Sequence, residues 1–203
     1  MSDRSLFFLS SPSQSTAAAV LGMQAHLPYS YPDVSATASH IPPRQYVVDH
    51  NRVQLGWGEH TFVQACAALR AWTMFDLGWI DLLWPNAPIT EGTTVGVLAH
   101  LPGVHILNAC RIVYLIDETQ DDVTRVGFAY GTLPGHIERG EERFTVAWHH
   151  RDDHVWYEIL AFSQPNHWLV KLGYPVARFY QRRFARASMY RMQQATRSTL
   201  QVA

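Results

Sequence analysis

Six strand-like segments follow one another between residues 80 and 162, and a long amphipathic stretch comes after them. Each segment is rich in apolar side chains and bounded by turn residues, as β-strands are. The segments are Ile80 to Trp84, Thr93 to His100, Asn108 to Asp117, Arg125 to Leu133, Glu142 to His150 and Val155 to Phe162. Because consecutive strands joined by short turns pair antiparallel, this order predicts a meander within one sheet.

The stretch from Trp168 to Arg197 has apolar side chains at three- and four-residue spacing and predicts a closing helix. Pro175 should begin or kink its main segment, since proline lacks the N–H that a helix interior uses. Nearer the N-terminus, the pattern predicts a helix over Thr16 to Ala25, a strand over Tyr46 to Leu55 and a helix from Glu59 to about Gly78.

This element order predicts an α+β fold of the helix-grip type. A seven-stranded antiparallel sheet twists and curves, and a helix with one apolar stripe can bury that stripe against the concave face. We therefore expect a curved sheet wrapped around the C-terminal helix, with a cavity between them as the ligand site. The length of 203 residues and the hydrophobic content of 47% suit one domain over residues 1–203.

The charge balance disfavours nucleic acid as a partner. A net charge of −1 and a pI near 6.8 provide no basic footprint for phosphates. Four arginines do cluster near the C-terminus at helical spacing, which predicts a solvated helix face. They are Arg178, Arg182, Arg183 and Arg186.

Cysteine usage and hydropathy predict a cytoplasmic protein without a membrane span. Cys66 and Cys110 are far apart and belong to no CxxC pair, so we expect neither a zinc ribbon nor a disulfide framework. Polar residues 10–14 interrupt the N-terminal apolar run, which disfavours a signal peptide. No apolar run reaches bilayer length.

The densest group of candidate residues is the segment GFAYGTLPGHIERGEERF at 127–144, which predicts a hairpin turn that carries polar side chains. Gly131, Gly135 and Gly140 should supply special backbone angles, and Pro134 should fix its own φ. The turn would then hold His136, Glu138, Glu141 and Glu142 in a defined geometry. The alternative is an ordinary hairpin with solvated charges.

Acid and base chemistry is the most specific hypothesis for this turn. His136 with Glu138 or Glu142 could form a proton-transfer pair, since an imidazole beside a carboxylate titrates near neutral pH. Strand alternation places Phe128, Tyr130 and Thr132 on one face, so the Tyr130 hydroxyl could enter the same cavity. The alternative is that Tyr130 is a core residue with a satisfied hydroxyl.

A second set of residues predicts a lining for a flat apolar ligand. Seven tryptophans give large rigid surfaces, although most tryptophans belong to cores. Arg111 lies within an apolar strand, where a buried charge is costly unless it is paired. A buried Arg111 could pair with Glu158 or with a ligand carboxylate, and the alternative is that its side chain faces outward. The candidate ligand-binding residues are Trp57, Trp79, Trp84, Asn108, Arg111, Phe128 and Tyr157.

No motif indicates a metal or a cofactor. The eleven histidines include neither HExxH nor a compact ligand triad. GxGxxG after a strand, a Walker loop and GxSxG are all missing.

Several sequence blocks resemble the domain-of-unknown-function family nineteen-ninety, an uncharacterised group. They are YSYPDVSAT at 29–37, LGWGEHTF at 55–62, WTMFDLGW at 72–79, LNACRIVY at 107–114, the 127–144 segment and WYEILAFSQP at 156–165. The family pattern usually has Gly at the position of Ser35 and an Arg near Ala38. The family is similar in turn to the START-like and plant-allergen-like helix-grip superfamily, which implies binding of lipids, sterols or polyketides, with some cyclases and dehydratases.

Two main functions follow from these patterns. The first is binding of a hydrophobic or aromatic small molecule in the cavity between sheet and helix. The second is a cofactor-independent cyclase, lyase or isomerase that uses tyrosine, histidine and glutamate in the same cavity. A purely structural role would instead predict a filled cavity and an exposed apolar patch.

Overall fold

The computed structural model describes residues 7–39, 45–84, 86–167 and 173–197. In chain order the elements are β1 Phe7–Phe8, α1 Gln14–Gln24, β2 Val47–Trp57, α2 Gly58–Arg70, a 3-10 turn Thr73–Phe75, β3 Ile80–Leu83, β4 Thr94–Leu101, β5 Val104–Gln120, β6 Val123–Thr132, β7 Glu138–His149, β8 His154–Pro165 and α3 Tyr174–Arg197.

All the strands join one antiparallel sheet. Its order is β2-β8-β7-β6-β5-β4-β3, so strands β3 to β8 form the predicted meander and β2 pairs with β8 at one edge. The short β1 pairs with β5 and brings the number of strands in the described residues to eight, one more than the predicted seven. Two residues are too few to produce an alternating pattern, which is why β1 was not predicted.

The sheet curves around the helices at two irregular points. Register shifts occur in β2 between Gln54 and Gly56 and in β5 between Ile112 and Tyr114. Such bulges bend a strand and increase its twist. The concave face therefore closes around α2 and α3, and the predicted helix-grip fold is confirmed.

The main core lies between this concave face and the helices. Trp72 packs edge-on against Phe128 with ring centroids 4.9 Å apart, and Phe75 does so against Phe144 at 5.6 Å. The C-terminal half of α3 contributes Met192, which is fully buried. These rings exclude water from one end of the space under α3, where burial of large apolar surfaces stabilises the fold.

The convex face is covered by α1 and the segment after it. Ser13 caps α1, because its Oγ accepts a hydrogen bond from the Thr16 amide at 3.1 Å. Ala17 packs against strand residues Leu98 and Leu107, and Leu21 packs against Ala109. The segment after α1 lies on the same face, because the Tyr31 hydroxyl and the Thr37 amide donate hydrogen bonds to Glu141 of β7.

One helix prediction needs correction, and another lies partly outside the described residues. The helix from Glu59 ends at Arg70, because Trp72 adopts a left-handed φ of 56° and starts the 3-10 turn. The closing helix begins at Tyr174, with Pro175 in its first turn as expected, while residues 168–172 lie outside the described residues. Within the described ranges, no helix is both long and apolar enough to traverse a bilayer.

Candidate functional site

A cavity of about 460 Å³ lies between the concave face of the sheet and the N-terminal half of α3. We call it the grip pocket. Part of its wall is apolar and includes Phe75, Ile80, Val97, Ile106, Ile159 and Phe184. The polar part of its wall includes Asp49, Asn51, Asn108, Tyr130, Thr132, His136, Glu138, Glu142 and Gln181. A mainly apolar wall with a few convergent polar groups is typical of small-molecule sites.

Tyr130 and Glu142 form a direct pair in the grip pocket. They are opposite each other in the β6–β7 register, and the Tyr130 hydroxyl donates a hydrogen bond to Glu142 Oε2 at 2.7 Å. Burial raises the pKa of Glu142 to about 7, and the charges of Glu138 and Asp49 act in the same direction. The hydrogen bond from Tyr130 opposes this rise only in part. Glu142 can therefore exchange a proton near neutral pH.

His136 lies in the turn between β6 and β7 and is held as a neutral imidazole. Its Nδ1 accepts a hydrogen bond from the Glu138 amide at 2.9 Å, which leaves the proton on Nε2. Burial lowers the pKa of His136 to about 4. The expected pair of His136 with a glutamate carboxylate is therefore not formed among the described residues: the His136 ring contacts the backbone amide of Glu138, while the Glu138 and Glu142 carboxylates bind Gln181 and Tyr130.

The Glu138 carboxylate instead connects the sheet to α3. Gln181 Nε2 donates to both carboxylate oxygens of Glu138, at 2.6 and 2.5 Å, and Gln181 Oε1 accepts from Arg178 at 2.5 Å. Arg178 donates to both oxygens of Asp49 on β2, at 2.5 and 2.7 Å. Burial is the main reason that the pKa of Glu138 is raised. This network holds the N-terminal half of α3 over the pocket, so the prediction that Arg178 is solvated was wrong.

The glutamates of the 127–144 segment lie on two faces of the sheet. All three belong to β7 and not to the turn, and all three border the pocket. The Glu141 carboxylate, however, is opposite to those of Glu138 and Glu142 and points to the convex face. There the Glu141 carboxylate accepts hydrogen bonds from Tyr31 Oη at 2.7 Å, the Ser35 amide at 2.7 Å, the Thr37 amide at 3.0 Å and the Thr37 hydroxyl. Alternation along a strand explains the separation.

Ser35 has the left-handed φ of 69° that glycine adopts more easily. The Ser35 amide reaches Glu141 in this conformation.

The glycines of the segment have two different roles. Gly140 has a φ of 154°, and a Cβ there would lie 1.9 Å from the Phe162 carbonyl oxygen. Gly131 has no special angle, contrary to expectation; it is in β6, where a Cβ would lie 2.2 Å from Tyr31 Oη. Gly135 likewise gives room to the Gln24 side chain, whose Oε1 accepts from its amide at 2.7 Å.

Arg111 was a candidate ligand-binding residue, but it lies on the convex face. Its guanidinium donates to the carbonyls of Gln24, Ala25 and Leu27 at 3.3, 2.7 and 2.9 Å, and so holds the end of α1. Glu158, considered as its partner, pairs instead with Arg52 at 2.8 Å. Arg111 therefore faces outward, which was one of the predicted alternatives, but its guanidinium donates to backbone carbonyls and not to solvent.

The other candidate ligand-binding residues fall into three groups. Asn108 lines the grip pocket, and its Oδ1 accepts from the Ile137 amide at 3.3 Å. Phe128 and Tyr157 are fully buried in the core beside it. The tryptophans lie elsewhere: Trp57 and Trp84 are 63% and 47% exposed, and Trp79 packs against Tyr180 of α3 with ring centroids 5.8 Å apart.

Sequence reasoning missed Asp49, Asn51 and Gln181, which all line the pocket. Asp49 and Asn51 alternate along β2 with Val53, which packs against the core. Alternate residues of a strand face the same side, so their inward orientation could have been predicted from the sequence. Gln181 could not be identified from the local sequence, because the strand residues that it contacts, Glu138 of β7 and Ser163 of β8, are far from it along the chain.

The two cysteines are free and buried, as expected for small apolar residues. Burial raises the pKa of the Cys66 thiol to about 11 and that of Cys110 further still. Neither thiol is ionised at neutral pH.

Comparison with solved structures finds distant neighbours. A hypothetical protein from Helicobacter pylori has a TM-score of 0.49 at 12% identity and covers 75% of this chain and 88% of its own. Ara h 8.0201 has a TM-score of 0.42 at 10% identity, covering 73% and 99%. Norcoclaurine synthase from Thalictrum flavum, solved with dopamine and hydroxybenzaldehyde, has a TM-score of 0.42 at 10% identity, covering 78% and 88%.

Sequence comparison finds much closer relatives. A UPF0548 protein of Dictyostelium discoideum is 37% identical over 213 residues, covering 97% of this chain and 99% of the relative. A UPF0548 protein of Deinococcus radiodurans is 33% identical over 196 residues, covering 89% and 94%. Residues 30–191 match the Domain of unknown function (DUF1990). The chain therefore belongs to the DUF1990 family, as its sequence blocks indicated.

Proposed function

We propose that this protein binds a small, largely apolar molecule in the grip pocket. The observation that carries the proposal is the cavity of about 460 Å³ beneath α3, whose apolar wall faces a cluster of hydrogen-bonding side chains. The pocket is open to solvent, so water meets its apolar wall. A bound apolar ligand would remove that surface from water, which is favourable.

The polar wall would orient such a ligand. Glu142 Oε2 accepts from Tyr130, and among the described residues no hydrogen bond engages Oε1. The His136 Nε2–H provides a neutral donor nearby in the same wall. A ligand with one polar end would therefore find both an acceptor and a donor.

A matched pair of α3 variants tests the proposal. Ala177 lines the pocket, whereas Phe179 is 55% exposed two residues away. The uncharged fluorophore N-phenyl-1-naphthylamine should bind the wild-type protein and the Phe179→Trp variant. Ala177→Trp should abolish binding, since the indole would occupy the space.

Native mass spectrometry of freshly purified protein complements this measurement by detecting a retained ligand. Equal dye binding by both variants would place the dye elsewhere. If the wild-type protein binds no dye and carries no added mass, the proposal fails.

A second candidate function is cofactor-independent proton transfer, favoured by the Tyr130–Glu142 pair and the raised pKa of Glu142. In an isomerisation, Glu142 would remove a proton from one carbon of the substrate and return it to another, so no co-reactant is consumed. Glu142→Gln and His136→Ala would then abolish turnover while affinity remains. If the wild-type protein shows no turnover and the two variants lose affinity for the ligand, proton transfer is wrong and the binding function remains.

A further inference from the structure

The ionisable side chains of the grip pocket are mostly acidic. Asp49, Glu138 and Glu142 all line it. Arg178, the cation beside them, already donates to both oxygens of Asp49. His136 adds no charge at neutral pH, because burial lowers its pKa to about 4. Arg182 also lines the pocket, but its side chain is exposed to solvent, where water screens its charge.

Among the described residues, no cation acts on the Glu142 carboxyl from the elements packed around it. The titratable groups that act on it are Tyr130 of β6, Glu138 of the same strand and Asp49 of β2. Glu142 in turn acts on Cys110 of β5 and Tyr157 of β8. All of these side chains are acids, so the field at the Glu142 carboxyl is negative or neutral.

We propose that the grip pocket selects its ligand by charge: it takes an uncharged or cationic molecule whose O–H or N–H group donates to Glu142, and it rejects carboxylates. This inference rests on the proposed function and names the chemical class of its ligand. It separates this pocket from sites for fatty acids and other anionic lipids, in which a cation meets the carboxylate.

The physical reason is the cost of a second buried negative charge. A ligand carboxylate placed beside Glu142 and Glu138 would have to take up a proton, share the proton of a protonated Glu142, or displace Arg178 from Asp49, and each of these has a free-energy cost at neutral pH. A ligand ammonium would instead gain a charge-assisted hydrogen bond from the ionised form of Glu142. A ligand hydroxyl would gain an ordinary hydrogen bond at no electrostatic cost.

Three ligands of one shape test this inference. They are 2-naphthalenemethanol, 2-naphthylmethylamine and 2-naphthoic acid, each titrated at neutral pH by displacement of N-phenyl-1-naphthylamine. We expect the alcohol and the amine to displace the dye, and the acid to bind at least about tenfold more weakly than the alcohol. Glu142→Gln should weaken the amine by about tenfold or more and narrow the difference between alcohol and acid.

Two further variants complete the design. Glu138→Gln removes the neighbouring charge and should also increase the affinity for 2-naphthoic acid. The test therefore does not depend on whether the Glu142→Gln variant folds. Glu118→Gln changes a carboxylate whose side chain is 52% exposed, outside the pocket, and should leave all three affinities unchanged.

The outcomes separate the two proposals. If the acid displaces the dye as well as the alcohol does, charge selection is wrong while the pocket stands as a binding site. If the dye itself fails to bind and no retained mass is found, the proposed function is wrong and this inference falls with it.

Discussion

Glu141 and Glu142 are adjacent in β7, yet their carboxylates face opposite sides of the sheet. Glu141 accepts hydrogen bonds from the segment that covers the convex face, and Glu142 accepts from Tyr130 inside the grip pocket. One residue thus anchors the chain and its neighbour belongs to the candidate site. Substitutions at the two positions should therefore have different consequences.

Glu141→Gln should destabilise the protein by on the order of 3 kcal/mol, because an amide N–H₂ would face the donors of Tyr31, Ser35 and Thr37. Urea unfolding followed by tryptophan fluorescence measures the change. Glu118→Gln, at an exposed carboxylate, should alter stability by less than about 0.5 kcal/mol. Similar values for both variants would show that the Glu141 contacts contribute little.

Stability should fall as pH rises toward and through 7, in a way that depends on Glu142. Its pKa is raised from 4.5 to about 7 in the folded protein, so its contribution is complete below about pH 4.5 and is lost as pH rises through 7. Glu142→Gln cannot ionise and should be the more stable form in mild alkali, by up to about 3 kcal/mol. Unfolding curves of both proteins across this range measure the difference. Parallel pH profiles would mean that Glu142 titrates normally.

Gly131→Ala should destabilise the protein by about 1–3 kcal/mol, because its Cβ would lie 2.2 Å from Tyr31 Oη. The clash would displace the segment after α1, which carries Tyr31, from β6. Gly22→Ala is the matched control: no atom lies within 4 Å of a Cβ there, and α1 should gain about 1 kcal/mol from better helix propensity. Thermal unfolding should move in opposite directions for the two variants. Unchanged stability of Gly131→Ala would show that the Tyr31 side chain can move away from the added methyl group without cost.

Asp49→Asn should loosen the N-terminal half of α3, since it weakens a partly buried pair in which the Arg178 side chain is 14% exposed. We expect a loss of about 1–2 kcal/mol. Amide hydrogen exchange should become faster around residues 174–185. Asp76→Asn, which breaks the more exposed pair with Arg191, should cost less than about 1 kcal/mol. Unchanged exchange in Asp49→Asn would contradict the role of the Glu138–Gln181–Arg178–Asp49 network.

Much of the fold could be predicted because its elements are local patterns. The strands from β4 to β8 alternate clearly, and the three- and four-residue spacing of α3 indicates a helix that must bury one side. Tyr130 and Glu142 could be proposed from residue type and parity. Their contact could not, because it depends on the register of β6 against β7, which brings together residues 12 positions apart.

What could not be predicted depends on long-range placement. Asp49 and Arg178 are 129 residues apart, and no local pattern connects them. Arg111 lies between inward-facing Cys110 and Ile112, so strand alternation predicts that it faces outward. Its hydrogen bonds to the carbonyls at the end of α1 could not be predicted. Its placement shows that a strand residue with a costly charge can be satisfied by a helix end.

The opposite orientation of Glu141 and Glu142 has a consequence for how the β6–β7 hairpin aligns. A slip of one residue would carry Glu141 into the cavity and leave Glu142 under Tyr31 and Thr37, with Arg143 turned from the Thr37 carbonyl toward the apolar wall. Contacts on both faces of the sheet therefore disfavour the same shift, and only the observed register gives Glu141 and Glu142 their hydrogen bonds together.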